Sequence, residues 1–344
     1  MSAKMAFQLP NELNATMPPE RRGIRRDHVR LMVLDRRTGR TAHTWFYRLD
    51  EYLKAGDLLV LNASRTIPAV LHGAWKRGDA VLKDRLEVRL ARRIDEQTWD
   101  ALAVAAGVAA GDTLVFAPGL EAVVTGVPAK PLVRICFSLR GPQLIEQIYS
   151  HGEPVRYEYI THPWDLEYYQ TVYASVPGSV EMPSAGRAFS WELLFKLRRK
   201  GIRTAFIRLH TGLSYWTDEA GYPSPGDNLE HYEVPSETAE AVRQTKRSGG
   251  RIVAVGTTVV RALESAVDEN DRPVARSGWT NLRVDRHWPL RVVDGLITGF
   301  HEPEASHLDL LSALIDPRLL LAAYEEAIAQ GYLWHEFGDM NLIL

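Results

Sequence analysis

The chain has one cysteine, Cys136, in 344 residues. A lone thiol excludes an intrachain disulfide and any multi-cysteine zinc or iron–sulfur centre. Its place in the apolar run Leu132–Leu139 reads as a buried structural thiol. A run of about 18 apolar residues is missing, which removes the usual membrane-spanning helix. The opening stretch MSAKMAFQLPNELN lacks the apolar core of a secretion signal. These features set the expectation of a cytoplasmic protein with no membrane partner. An excess of one charge is also missing. The net charge is −2, which argues against a whole-surface nucleic-acid binder. Local arginine clusters remain at Arg21, Arg22, Arg25 and Arg26, at Arg36, Arg37 and Arg40, and at Arg198, Arg199 and Arg203 beside Lys200. The sequence contains no Gly-x-Ser-x-Gly elbow, no Walker phosphate loop and no Gly-x-Gly-x-x-Gly fingerprint. Any nucleotide-like ligand is therefore held by another architecture.

What is present reads as α/β. The stretch Gly249–Glu264, GGRIVAVGTTVVRALE, is a strand, a tight turn and a helix. Arg251–Val255 is short, apolar and β-branched. Gly256-Thr257-Thr258 is the turn, with a hydroxyl suited to capping. Val259, Val260, Leu263 and Val267 recur at helical spacing. Such a junction aims free N–H groups and two hydroxyls at one place, which suits an anion or polar ligand. An ordinary capped strand–helix turn fits the same pattern.

Before it, Leu31–Leu34 and His43–Tyr47 read as a hairpin, Leu49–Leu53 as a short helix, and Leu58–Leu61 as an apolar strand. From Ala69 to Gly141 the character changes to short alternating runs: Val70–Trp75, Arg85–Leu90, Trp99–Val104, Thr113–Phe116, Ala122–Gly126 and Leu132–Phe137. Frequent turns between such runs predict a small β-barrel or sandwich, inserted at 69–141 into a larger α/β domain made of 1–68 and 142–344. Later helices are predicted at Pro142–Ser150, Ser190–Lys200, Ser236–Ser248 and from Pro317 to Gly331, with Ser190 and Asp316 as caps. Thr204–Leu209 and Arg291–Val293 read as strands. A loop of about 25 residues after Leu209 is longer than structural connections need.

Four polar stretches offer chemistry: Gly178–Ser190, Leu209–Trp216, the Gly256 turn with Arg261 and Glu264, and Gly299–Leu311 with His301, Glu302, Glu304 and His307. His301-Glu302, His307 and His335-Glu336 suggest a zinc helix at first sight. Zinc helices need histidines four apart on one face, whereas His301 and His307 are six apart around Pro303. No metal site is expected.

The motifs VRLMVLDRRTG, GDLLVLNASRTIPA, YQTVYA, GSVEMPSAGRAFS, VGTTVVRALES, GWTNL, VVDGLITGFHEP and FGDMNLI occur in that order across nearly the whole chain. Together they resemble the S-adenosylmethionine:tRNA ribosyltransferase-isomerases of queuosine biosynthesis. The resemblance implies a large α/β domain with a barrel-like sheet, interrupted by a small β-barrel. It also implies a reaction. The ribosyl part of S-adenosylmethionine, as co-substrate, passes to 7-aminomethyl-7-deazaguanine in the tRNA anticodon and rearranges to an epoxycyclopentane. Adenine and methionine leave. The sulfonium already makes methionine a good leaving group, so the chemistry asks for a base, a donor to adenine and a dry pocket. On this reading Glu181, His210, Glu264, His301 and Asp339 are candidate proton carriers. Thr257, Thr258 and Arg261 are candidate binders of ribose or carboxylate. Arg65, Ser184 and Arg187 are candidate pocket donors.

The chain also departs from the family pattern. Val180–Ser190 stands where members read Ala-Ala-Pro-Thr-Ala-Gly-Leu-His-Phe-Thr, with Ala188 at the histidine. Leu213-Ser214-Tyr215 replaces Gly-Thr-Phe, and Asn228 replaces a histidine. Ala63 replaces the aspartate of Asn-Asp-Thr-Arg. Gly299-Phe300-His301-Glu302-Pro303 replaces Asn-Phe-His-Leu-Pro, and Asp285-Arg286-His287 replaces Tyr-Pro-Gly. Glu181, Arg187 and Glu302 bring charge to neutral positions, and Glu181 is expected to pair with Arg187. Two alternatives follow: an enzyme of the same frame with another acceptor, or a non-catalytic nucleoside- or RNA-binding protein.

Overall fold

The structure is a computed structural model that describes residues 6–157, 159–214 and 229–344. Tyr215, Asn228 and most of the long loop after Leu209 lie outside the described residues.

The N-terminal hairpin is β1 (Arg30–Leu34) and β2 (Thr41–Trp45), followed by a 3₁₀ turn at Phe46–Glu51. Then come β3 (Leu58–Asn62) and β4 (Ser64–Thr66). The alternating runs form β5 (Val70–Arg77), β6 (Ala80–Arg93), β7 (Thr98–Ala103), β8 (Thr113–Ala117), β9 (Leu120–Ala129) and β10 (Leu132–Phe137). They close into a barrel in the order β10-β7-β6-β5-β8-β9. Alternation decides its interior: Leu71, Leu86, Val88, Leu90, Trp99 and Ile135 point inward into one apolar cluster. Cys136 lies on the other face of β10 and is half-exposed, so it is not the buried thiol that its apolar surroundings suggest.

After α1 (Gly141–His151), the chain returns as β11 (Val176–Ser179), α2 (Trp191–Arg199), β12 (Arg203–Leu209), β13 (Glu230–Val234) and α3 (Ser236–Arg247). It ends with β14 (Ile252–Val255), α4 (Thr257–Ser265), β15 (Arg276–Thr280), β16 (Gly295–Gly299), α5 (Ser306–Leu311), α6 (Pro317–Ala329) and β17 (Met340–Ile343). Nine strands form the large sheet, in the order β15-β13-β12-β3-β14-β16-β17-β1-β2. It has two edges, and closure belongs to the smaller barrel. Among its central strands β12, β3, β14 and β16 run parallel. β3 and β14 are buried along their whole length, as parallel strands covered on both faces must be. Alternate β3 residues serve opposite layers. Leu58 and Val60 pack with Val242, Val259, Leu263 and Tyr324 of α3, α4 and α6, whereas Leu59 and Leu61 pack with Leu193, Leu197 and Phe46.

Local chemistry explains most element ends. The Ser190 hydroxyl accepts from Leu193 N–H at the start of α2, and the Asp316 carboxylate accepts from Arg318 N–H at the start of α6. The expected threonine cap of α4 is not used; Gly256 occupies that place at φ 95°, a conformation open to glycine. Arg291–Val293 is not a strand, and β16 begins only at Gly295. The reason is that the N–H groups of Arg291, Val292 and Val293 donate to the Glu264 carboxylate instead of to a neighbouring strand.

Candidate active site at the carboxyl end of the sheet

Parallel alignment brings the ends of β3, β12, β14 and β16 together, the usual ligand position of open α/β sheets. Asn62, at the end of β3, ties this edge. Its Nδ2 donates to the Leu209 carbonyl at 2.8 Å, and its Oδ1 accepts from the Leu209 and Ser64 N–H groups at 3.1 Å each. Two residues on, the Ser64 hydroxyl and Nδ1 of His210 are 2.6 Å apart. Gly178 leaves room for that ring, since a Cβ there would lie 2.7 Å from it. Burial holds the His210 imidazole down at about 4, so it is neutral near pH 7.

The next strand end contributes α4. Thr257 and Thr258 open the helix, where N–H groups have no intrahelical acceptor. Gly256 packs beside Ala185, at 3.2 Å from an added Cβ, so the 3₁₀ turn Ser184–Gly186 faces this helix start. Ser184, Thr257 and Thr258 thus share one side of the site. Arg261, one turn into α4, pairs with Glu230 and donates from Nε to the Leu282 carbonyl at 3.0 Å. Glu230 also accepts from Gly212 N–H at 3.3 Å, which links this rim to the chain beyond β12.

An acidic and aromatic wall closes the opposite side. Glu181 accepts from the Tyr157 hydroxyl at 2.8 Å, from Ser214 N–H at 2.7 Å and from the Ser214 hydroxyl at 2.9 Å. Burial pushes its carboxyl up, with Glu230 adding to the effect. Tyr157 stacks on Tyr159 with ring centres 5.8 Å apart, and Tyr159 stacks on His335 at 4.2 Å. The Tyr159 hydroxyl donates to Glu336. Burial, helped by the charge of Glu181, pushes Glu336 up to about 7. Burial also holds His335 down at about 4. The barrel supports this wall: Leu213 N–H donates to the Ala91 carbonyl of β6 at 3.1 Å, fixing the segment that carries Ser214. His301 follows β16, 2.8 Å from the Thr298 hydroxyl and stacked on His307 at 4.5 Å. Burial keeps its imidazole well below the usual range.

Several expected residues lie elsewhere or serve the main chain. Arg187 does not pair with Glu181. It is buried, reaches Glu20 at 2.6 Å, donates to the Tyr168 carbonyl at 3.0 Å and covers the Phe337 ring. The reason is distance along a turn: Glu181 precedes the Ser184–Gly186 turn and Arg187 follows it, so their side chains leave on different sides. Arg65 is exposed on β4, over the ring of Tyr149, while its neighbour Ser64 points inward. Glu264 accepts main-chain N–H groups at 291–293, and Asp339 accepts those of Arg30 and Leu333 at 2.8 Å each. That is the geometry of a clamp on the backbone rather than of a free base.

Tyr157, Tyr159, Ser64 and Asn62 carry parts of the site that the motif reading did not single out, and Glu336 entered it only as a metal candidate. A polar residue ending an apolar strand, as Asn62 does, is the one local signal among them. Among the described residues no group of three or more His, Cys, Asp or Glu is gathered as a metal site, and no helix is long and apolar enough to cross a membrane.

Comparisons with known proteins match the chain over nearly its whole length. The family model described as "Queuosine biosynthesis protein" matches residues 2–343. An S-adenosylmethionine:tRNA ribosyltransferase-isomerase of Carboxydothermus hydrogenoformans is 38% identical over 350 residues, 98% of each chain. One of Desulfitobacterium hafniense is 37% identical over 351 residues, again 98% of each. The crystal structure of the S-adenosylmethionine tRNA ribosyltransferase of Thermotoga maritima superposes with a TM-score of 0.55 at 33% identity, covering 99% of this chain and 100% of that one. With a match that runs from end to end, the chain belongs to the queuosine biosynthesis protein family.

Proposed function

We propose that the protein is an S-adenosylmethionine:tRNA ribosyltransferase-isomerase. It transfers and isomerises the ribosyl unit of S-adenosylmethionine onto 7-aminomethyl-7-deazaguanine in the tRNA anticodon, giving epoxyqueuosine. The observation that carries the reading is end-to-end similarity to enzymes of that name at 37–38% identity. Such an enzyme works beside its tRNA, and we assign it to the cytoplasm. We treat 69–141 as a domain inserted between 1–68 and 142–344.

The residues suit the co-substrate. The N–H groups and hydroxyls at Thr257 and Thr258, with Ser184 on the same side, fit ribose hydroxyls or a carboxylate. Arg261, held by Glu230 and the Leu282 carbonyl, braces the rim. Bound S-adenosylmethionine brings an electrophilic ribose with an activated leaving group. The chain's own groups supply the proton transfers. Glu336, held near 7, is poised to accept a proton at neutral pH, and Glu181 stands beside it. An acceptor that brings an amine matches this carboxylate wall. Neutral His210 and His301 can donate or accept hydrogen bonds without placing a charge next to the sulfonium. Glu264 and Asp339 act as positioning residues, and Arg65 and Arg187 lie outside the reacting region.

The test is adenine release from S-adenosylmethionine with and without tRNA carrying 7-aminomethyl-7-deazaguanine, followed by mass analysis of the digested nucleosides. Release that requires this tRNA, with an epoxycyclopentane adduct on the base, is expected. Folded protein that releases no adenine would overturn the assignment.

A further inference from the structure

Helix α2 presents two unlike faces. Leu193, Leu194 and Leu197 are buried and hold it rigidly on the sheet. On the outside, Trp191 and Phe195 are 49% and 52% exposed, with ring centres 6.0 Å apart and planes inclined by 26°. One turn further on, Arg198 and Arg199 are exposed and have no carboxylate partner among the described residues. A helix C-terminus favours cations, which accounts for the arginines alone. It does not account for a pair of large aromatic rings in water, which a protein surface rarely shows without a partner.

A groove lies on each side of the helix. One, of about 600 Å³, is lined by Trp191, Tyr173, Phe206 and Arg208, and Ala63 is also in its lining. Ala63 precedes Ser64, whose hydroxyl holds His210 in the candidate active site. The other, of about 250 Å³, is lined by Arg25, Lys196 and Arg199 together with Asp27 and Glu192; Arg25 is paired with both carboxylates and Lys196 with Asp50, which leaves Arg199 as its uncommitted cation among the described residues. Aromatic surface therefore lines one flank of the helix, and the exposed Arg198 and Arg199 mark its other end.

We infer that the outer face of α2 is the docking ridge for the tRNA: unpaired bases next to the modified nucleotide stack on Trp191, Phe195 and Phe206, and the phosphate backbone follows Arg198 and Arg199. Stacking platforms beside a basic track are how proteins hold single-stranded nucleotides without reading their edges. A polyanion also neutralises a positive patch that a second copy of the chain would only double. The inference rests on tRNA being the substrate and adds where it binds.

The experiment uses the full chain, labelled tRNA carrying the precursor base, and two double variants, Trp191→Ala/Phe195→Ala and Arg198→Ala/Arg199→Ala. Affinity is read by fluorescence anisotropy over a salt series, turnover by adenine release, folding by circular dichroism and assembly by sedimentation. The aromatic variant is expected to weaken tRNA binding about tenfold with an unchanged salt slope. The arginine variant is expected to weaken it about tenfold and to flatten the slope of log K against log salt by about 1–2. Both should keep kcat at saturating tRNA. Wild-type affinity in both folded variants overturns the inference. So does a change in sedimentation with tRNA affinity intact, which would assign the face to a second copy. Wild-type protein that binds tRNA through this face but releases no adenine would instead sink the proposed reaction and leave the ridge standing.

Discussion

Arg187 and Glu20 meet at 2.6 Å across 167 positions of sequence, with the guanidinium buried and the carboxylate partly exposed. The pair joins the N-terminal segment to the turn before α2. Glu20 also holds Arg26 at 3.0 Å, so one carboxylate collects two cations. Arg187→Ala is expected to lower stability by about 2–3 kcal/mol, since it removes a buried, packed side chain, leaves the Tyr168 carbonyl without its donor and takes one of two cations from Glu20. Denaturant unfolding checks it. If turnover at low temperature collapses while the unfolding midpoint stays in place, Arg187 belongs to the reacting site instead.

Glu181 and Tyr157 form the acidic wall by direct contact. Glu181→Gln keeps the shape and removes the proton acceptor. A fall in kcat of about 10²–10⁴ is expected, the usual share of a positioned base. Tyr157→Phe should cost less, because Ser214 still holds the carboxylate. Single-turnover adenine release measures both. Equal rates for Glu181→Gln and wild type would remove Glu181 from the proton path.

Glu336 carries a pH signature. Its folded value, about 7, lies above the usual 4.5. The folded state therefore binds more protons than the unfolded state between these values, and this group's contribution to stability falls as pH rises from about 4.5 to 7. Glu336→Gln removes that loss. The variant is expected to be more stable than wild type at pH 8, by on the order of 2 kcal/mol, and equal to it near pH 4. Thermal melts at the two pH values check the sign. A variant less stable than wild type at pH 8 contradicts the raised value.

Gly178 faces the His210 ring. Gly178→Ala adds a Cβ 2.7 Å from that ring and should push it off Ser64. Ser64→Ala removes the same contact from the other side. Both variants are expected to show similar kcat losses, and the double variant little more than either, because they act through one group. Additive losses would separate the two residues.

Glu264 clamps three consecutive N–H groups, those of Arg291, Val292 and Val293. Glu264→Ala leaves them buried without an acceptor and should cost about 3 kcal/mol. Hydrogen exchange at 291–293 is expected to rise with it. Unchanged exchange there would show that another acceptor holds the segment.

The legible part of the protein was what nearest neighbours along the chain decide. The barrel runs were readable because alternation within one strand reports which face is buried, as in Leu132–Phe137. The caps at Ser190 and Asp316 were readable because each acts within three residues. Motif order led to the family, and strand–turn–helix grammar led to Thr257 and Thr258. What stayed hidden was which side chains meet. Glu181 takes Tyr157 and Ser214, Arg187 takes Glu20, and Glu336 takes Tyr159, each partner chosen by where separate strands and turns set the backbone down. Likewise Arg291–Val293 looks like a strand in isolation, and only the carboxylate brought by α4 diverts its N–H groups. A side chain's partner depends on positions fixed by the whole fold, and local sequence carries no record of that distance.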